Sequence, residues 1–252
     1  HSGVLKKFGL YGLLRIALPL LPQAIHVAWL QEALLFMLLG NVLVIGLVTI
    51  NQKRLDDVLA NSSVMHMGYI FLGLAAGTEI ALRGAVMLMF AHGISIALLF
   101  ALAGRLRSQI GTLELNKLGG LGAHAPAFTI LFAFGAFASI GLPGLANFAG
   151  EVMIFVGSFT NFGSAQFTPL QWTVVLALWG VVMSAVYMLR AYRHIFHGTA
   201  SAGLFMTDSS LSLRLPLILL AAALLIVGCC PWLLLGLIKS DLVAGISAAA
   251  SH

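Results

Sequence analysis

Seven apolar stretches, divided by short polar or glycine-containing segments, run along the chain: Gly3–Leu21, Trp29–Ile50, Val58–Ala76, Ile80–Leu102, Pro126–Phe159, Thr173–Tyr192 and Leu215–Leu235. A helix needs about 20 mainly apolar residues to cross the hydrocarbon core of a bilayer, and each stretch reaches or approaches that length. The fifth is too long for one straight helix and carries Gly141, Pro143, Gly144 and Gly150 in its middle. It predicts one discontinuous helix, broken near Gly141–Gly150, with a pair of helices as the alternative.

Charge placement tests this count. If the stretches alternate in direction, one side of the membrane receives Lys53, Arg54, Arg105, Arg107, Lys117, Arg190, Arg193 and Arg214, and the other only Arg15, Arg83 and Lys239. Lys and Arg are enriched in cytoplasmic loops, so the first side is expected to be cytoplasmic and the C-terminus to lie outside. Splitting the fifth stretch into two crossings would scramble the separation. Gly104–Ala125 and Gly198–Ser212 are expected to be cytoplasmic loops. The pattern therefore predicts an all-α, polytopic transmembrane bundle of about seven spans, forming a single domain over residues 1–252.

Composition sharpens the picture. Hydrophobic residues make up 60% and charged residues 8% of the chain, and the mean hydropathy is +1.04, which excludes a soluble domain of this size. The formal net charge of +5 reflects topology, because no basic run suggests nucleic acid. Cys229 and Cys230 are adjacent in an apolar stretch and lack the spacing of a metal or Fe–S site. The chain starts at His1 and becomes apolar almost at once, without a signal-peptide pattern, and is expected to be an N-terminally truncated fragment.

The candidate chemistry lies in the few polar groups at membrane depth. Glu151, beside the predicted break, is the one acidic residue squarely inside a span. A charge there costs roughly 2.5–3.5 kcal/mol on insertion scales, so it is expected to face a partner or a polar cavity. His66 and His92 lie near the middle of the third and fourth stretches. A single membrane histidine is usually an interhelical hydrogen-bonder, but two on adjacent spans near a carboxylate suit a proton relay, because imidazole titrates near neutrality and exchanges protons at both nitrogens. Ser62, one turn before His66, is placed to hydrogen-bond it. Lys6 and Lys7 open the first stretch; they point about 100° apart on a helix, so at most one faces the interior squarely, the other reading being two snorkelling lysines. His26, His124, His194 and His197 fall in or near loops and are assigned no role.

These residues sit in a recognisable setting. Lys7 through Tyr11-Gly-Leu-Leu-Arg15, Asn61-Ser-Ser-Val-Met-His66-Met-Gly, Ala91-His92-Gly, Leu118-Gly-Gly-Leu-Gly and Gly141-Leu-Pro-Gly with Asn147-Phe-Ala-Gly-Glu151 occur in the order and spacing of the antiporter-like membrane subunits of respiratory complex I. The chain resembles the C-terminal half of the chain 4 (subunit M) group of NADH-quinone oxidoreductase. That resemblance implies a fourteen-helix fold with inverted repeats and a proton-translocation row of Lys7, His66, His92 and Glu151, with Glu151 on the broken helix as the outlet toward the periplasm. It implies no cofactor in this chain, flavin, Fe–S and quinone chemistry in partner subunits, chain 5-like and chain 2-like neighbours, and a bacterial inner membrane. Ile96, where chain 5, chain 2 and the multisubunit cation/proton antiporters tend to carry lysine, fits chain 4, as does glutamate at position 151. Arg54-Leu55-Asp56-Asp57 departs from the family's usual Asp-Leu-Lys-Arg, inverting the loop charges. A subunit of a membrane-bound hydrogenase, a cation/proton antiporter subunit and a non-pumping structural subunit are the alternatives.

Overall fold

A computed structural model of the protein describes residues 2–17, 20, 27–159, 167–198, 206–208 and 210–238. Lys239, His26, the end of the first apolar stretch and most of the loop before Ser212 lie outside the described residues. Helix α1 spans Leu5–Gly12 and continues as a wider π-helical turn over Leu13–Ala17. It is followed by α2 (Ala28–Ile50), α3 (Leu55–Ala76), α4 (Glu79–Ile110), α5 (Pro126–Ile140), α6 (Ala146–Phe159), α7 (Pro169–Phe196), α8 (Leu211–Cys229) and the single turn α9 (Trp232–Leu235). Five of these, α2, α3, α4, α7 and α8, are long and apolar enough to cross a membrane, whereas α5 and α6 are shorter. The protein is an integral membrane protein.

The bundle has two chemically different ends. At one, the main-chain amide of Leu55 donates to Leu113 and that of Leu115 to Lys53, both at 2.9 Å, so the α2–α3 loop and the segment after α4 pair as a small ladder. The Arg190 guanidinium on α7 hydrogen-bonds the Ile50 carbonyl, and the Gly120 amide donates to His197 at 3.1 Å. At the other end, the Thr78 hydroxyl donates 2.8 Å to the carbonyl of Gly157 on α6, near the Arg83–Glu79 pair at 2.6 Å. The charge alternation predicted this grouping. In the fifth stretch, α5 begins at the basic end and α6 finishes at the other, the arrangement expected of one discontinuous helix.

Two boundaries differ from expectation. Helix α4 has 32 residues, about 48 Å at 1.5 Å per residue, which exceeds a bilayer core. Arg105 and Arg107 therefore ride on a helical extension and not in a loop. Polarity marks where the chain leaves lipid, but only Gly111, at φ +83°, ends the helix. The second correction concerns Gly150, expected in the helix break. The break is confined to Gly141–Leu145, and Gly150 lies inside α6. A side chain there would come within 2.9 Å of the Leu88 main-chain nitrogen on α4, while Gly84 of α4 abuts the Gly150 carbonyl in return. Small residues let two helix backbones meet, as is common where lipid offers no hydrophobic drive to association.

The loop with inverted charges closes on itself. Arg54 grips Asp56 through two hydrogen bonds of 3.1 and 2.7 Å and lies 3.7 Å from Asp57. Both acids occupy the first turn of α3, where carboxylates oppose the positive end of the helix dipole. Asp208 does a similar service across the bundle. Its two carboxylate oxygens accept from the amides of Ala127 and Phe128, each at 3.0 Å, at the N-terminus of α5, whose first position is Pro126.

Candidate functional site

The site grows from the buried faces of α3, α4 and α6 and from the open end of α5. On α3, His66 is 1% exposed. Its Nδ1 lies 2.8 Å from the main-chain oxygen of Ser62 and its Nε2 3.0 Å from that of Ser139. Ser139 occupies the last turn of α5, where carbonyls have no partner within the helix and carry the negative end of its dipole. The helix break thus supplies the second acceptor. A neutral imidazole donates from one nitrogen only, so the ring that satisfies both carbonyls is the doubly protonated one.

Glu151 enters from the second turn of α6 and is 3% exposed. Its Oε1 lies 3.7 Å from His66 Nε2 and has no hydrogen-bond partner among the described residues. The rest of the carboxyl group rests against Gly141, which has φ +82° and whose Cβ, if present, would strike it. Gly141 is therefore required twice, for its backbone angle and for the room it leaves.

His92, on α4, stacks on His66 with ring centroids 4.5 Å apart and planes 17° from parallel. Both of its ring nitrogens are buried and lack a hydrogen-bond partner among the described residues, as do Asn147 Oδ1, Ser139 Oγ and Ser63 Oγ. Around them, Ser95 donates 3.2 Å to the His92 carbonyl, and Asn147, one turn before Glu151, donates 3.4 Å to Ser95. Tyr69 meets the edge of His66 at 5.7 Å. Tyr187, on α7 and 1% exposed, donates 3.1 Å to the Ser62 hydroxyl. An unmet buried polar atom costs about 1–3 kcal/mol. Several within one spot mark a site whose groups retain capacity to exchange hydrogen bonds and protons.

The structure brings together His66, His92 and Glu151 of the expected row. Lys7 is buried at 6% exposure while Lys6 is not, so one lysine turns inward as the helix geometry predicts. The Lys7 ammonium donates 2.6 Å to the Ser2 carbonyl and stands apart from the three, although its charge bears on both histidines. Ser62 meets His66 through its main-chain carbonyl, while its hydroxyl serves Tyr187, because an i to i+4 histidine in a helix reaches the preceding carbonyl before the side chain. Tyr187, Asn147 and Ser95 escaped sequence reasoning. Asn147 was legible as a polar residue four positions before Glu151, and Tyr187 as the member of a Gly180–Ser184–Tyr187 stripe able to hydrogen-bond at length.

These features define a polytopic helical membrane protein with a buried histidine–histidine–carboxylate cluster at a helix break. The chain belongs to the NADH:quinone oxidoreductase/Mrp antiporter membrane family, whose model matches residues 2–170. It is 39% identical over 202 residues to NAD(P)H-quinone oxidoreductase chain 4 2 of Trichodesmium erythraeum (strain IMS101), covering 80% of this chain and 35% of that protein. It is 36% identical over 203 residues to NADH-quinone oxidoreductase subunit M of Pseudomonas aeruginosa, covering 80% and 38%. A chain of respiratory complex I from Thermus thermophilus with bound NADH superposes with a TM-score of 0.83 at 31% identity, over 98% of this chain and 50% of that one. The Mrp complex from Dietzia sp. DQ12-45-1b shares the fold, with a TM-score of 0.79 at 20% identity over 98% and 52%. The chain thus spans half the length of the complex I chain and little more than a third of the two curated relatives.

Proposed function

We propose that the protein is part of a proton-translocating membrane subunit of an NADH-quinone oxidoreductase of the chain 4 type. The observation that carries this reading is the Glu151 carboxylate 3.7 Å from a histidine that stacks on a second histidine, all three sealed inside a membrane bundle. At the separation of the two rings, two positive charges would repel by about 4 kcal/mol at an effective dielectric of about 20. A proton arriving on one ring therefore lowers the proton affinity of the other, and a charge on His66 favours the ionised form of Glu151, so that the carboxyl group gives up its proton. Lys7 at one end supplies a further positive charge that can push, and Glu151 on the broken helix passes the proton outward. Water completes the links that side chains leave open. The membrane side bearing Lys53, Arg54, Arg190 and Arg193 is the cytoplasmic one, the membrane is a bacterial inner membrane, and the C-terminus is outside. Flavin, Fe–S and quinone chemistry belong to other subunits, with chain 5-like and chain 2-like neighbours in the membrane.

The test is Glu151→Gln in the full-length subunit within its assembled complex, reconstituted into proteoliposomes. The isosteric amide is expected to assemble, to support electron transfer and to abolish proton pumping. Pumping at the wild-type level would remove Glu151 from the pathway.

A further inference from the structure

Tyr187 is a buried tyrosine whose hydroxyl is spent on one bond, to Ser62 Oγ at 3.1 Å. The same Ser62 offers its carbonyl to His66 Nδ1 at 2.8 Å. The tyrosine is itself firmly placed: one turn further along α7, Arg190 fastens that helix to the Ile50 carbonyl at the end of α2. Four residues before Ser184, Gly180 lets α7 lie against Tyr69, which edges onto the same imidazole. Helix α7 thus reaches His66 without touching its nitrogens.

We propose that Tyr187 is a positioning residue for His66, acting through Ser62. Its hydroxyl ties the turn of α3 that carries the Ser62 carbonyl to α7, and so fixes the acceptor that selects a proton on His66 Nδ1. Without that tie, nothing holds the Ser62 turn of α3 to α7, and its carbonyl is free to draw back from Nδ1. A longer Nδ1–H···O bond favours the protonated ring less, since hydrogen bonding to the charged form is what raises its share. This inference rests on the proton-relay reading of the row. The groups that face His66 are His92 from α4, Glu151 from α6, Tyr69 on its own helix, Tyr187 from α7 and, at longer range, Lys7 from α1; α5 presents the Ser139 carbonyl.

The experiment measures proton pumping against pH in proteoliposomes holding the assembled complex, with the full-length subunit carrying Tyr187→Phe, Ser62→Ala, both together, or Ser62→Thr, and with Glu151→Gln run in parallel. Phenylalanine keeps the ring that fills the site and removes only the hydroxyl. If the tie accounts for an ordinary hydrogen bond, the alkaline limb of the profile moves down by about half a pH unit in Tyr187→Phe. Ser62→Ala is expected to move it equally, the double variant no further, and Ser62→Thr, which keeps the oxygen, to retain the wild-type profile. An unchanged profile in Tyr187→Phe, or shifts that add in the double variant, would overturn the proposal while Glu151→Gln still abolishes pumping. Pumping that survives Glu151→Gln would overturn both the relay and the proposal. A merely structural tyrosine would lower assembly at every pH without moving the limb, and that result also sinks it.

Discussion

The imidazole of His92 lies flat on that of His66, with centroids 4.5 Å apart, yet the two rings have opposite surroundings. Both nitrogens of His66 meet main-chain oxygens, and neither nitrogen of His92 meets a hydrogen-bond partner among the described residues. His66 is thus held by two hydrogen bonds, and His92 by the stacking contact.

Replacing His92 by phenylalanine preserves the stacked shape and removes the exchanging nitrogens. The variant is expected to assemble and to lose proton pumping by at least about tenfold in proteoliposomes, the scale of losing one proton-transfer group. Pumping within twofold of wild type would mean that protons bypass His92.

The two positive-φ glycines of the helix break should separate sharply. Gly141→Ala and Gly144→Ala both force an L side chain into the left-handed region, at about 1–2 kcal/mol each. At Gly144 a Cβ meets nothing within 4 Å, whereas at Gly141 it meets the Glu151 carboxylate. Thermal unfolding of the solubilised protein is expected to show a modest loss in both, and only Gly141→Ala is expected to impair pumping as well. Equal pumping in the two would detach Gly141 from the site.

Helix packing makes a second paired prediction. Gly150→Leu drives a side chain into the backbone of α4 at Leu88 and is expected to cost more than the about 1–3 kcal/mol of ordinary overpacking, because a main chain cannot rotate aside. Gly40→Ala, in α2 with nothing within 4 Å, is expected to be neutral or to stabilise by up to about 1 kcal/mol. Subunit yield and unfolding temperature after membrane extraction measure both.

At the basic end, Asp208→Ala removes the carboxylate that receives two amides of α5. A loss of about 1–2 kcal/mol at that helix start is expected. Hydrogen exchange should read it locally, as about five- to thirtyfold faster exchange at Ala127 and Phe128; unaltered exchange there would show the cap to be dispensable.

The same end carries a pH-dependent pair. A hydrogen bond from Lys117 at 2.8 Å holds the Glu114 carboxyl below the usual carboxylate range, helped by the charges of Lys117 and Arg54. Its contribution is therefore present above the ordinary range and lost as pH falls through the lowered value. Lys117→Met is expected to raise the Glu114 titration toward normal in a carboxyl-carbon NMR titration; an unmoved midpoint would show that the pair does not form in solution.

Much of this was written in the order of residues. Lipid admits few structures, so long apolar runs imply helices, and alternating Lys and Arg assign the loops to two ends. Gly141 and Pro143 announced the break, and Glu151, His66 and His92 announced themselves by the cost of polar groups at depth. Tertiary structure decided what those groups touch. That Ser139 faces His66 across a gap of 73 residues, that Gly150 packs helices instead of breaking one, and that Tyr187 reaches Ser62 are consequences of how helices turn about their axes. Nothing in a helix's own sequence sets that rotation when apolar residues surround it on every side. Only contact with its neighbours, where glycine permits closeness and polar atoms demand partners, selects the face that looks inward.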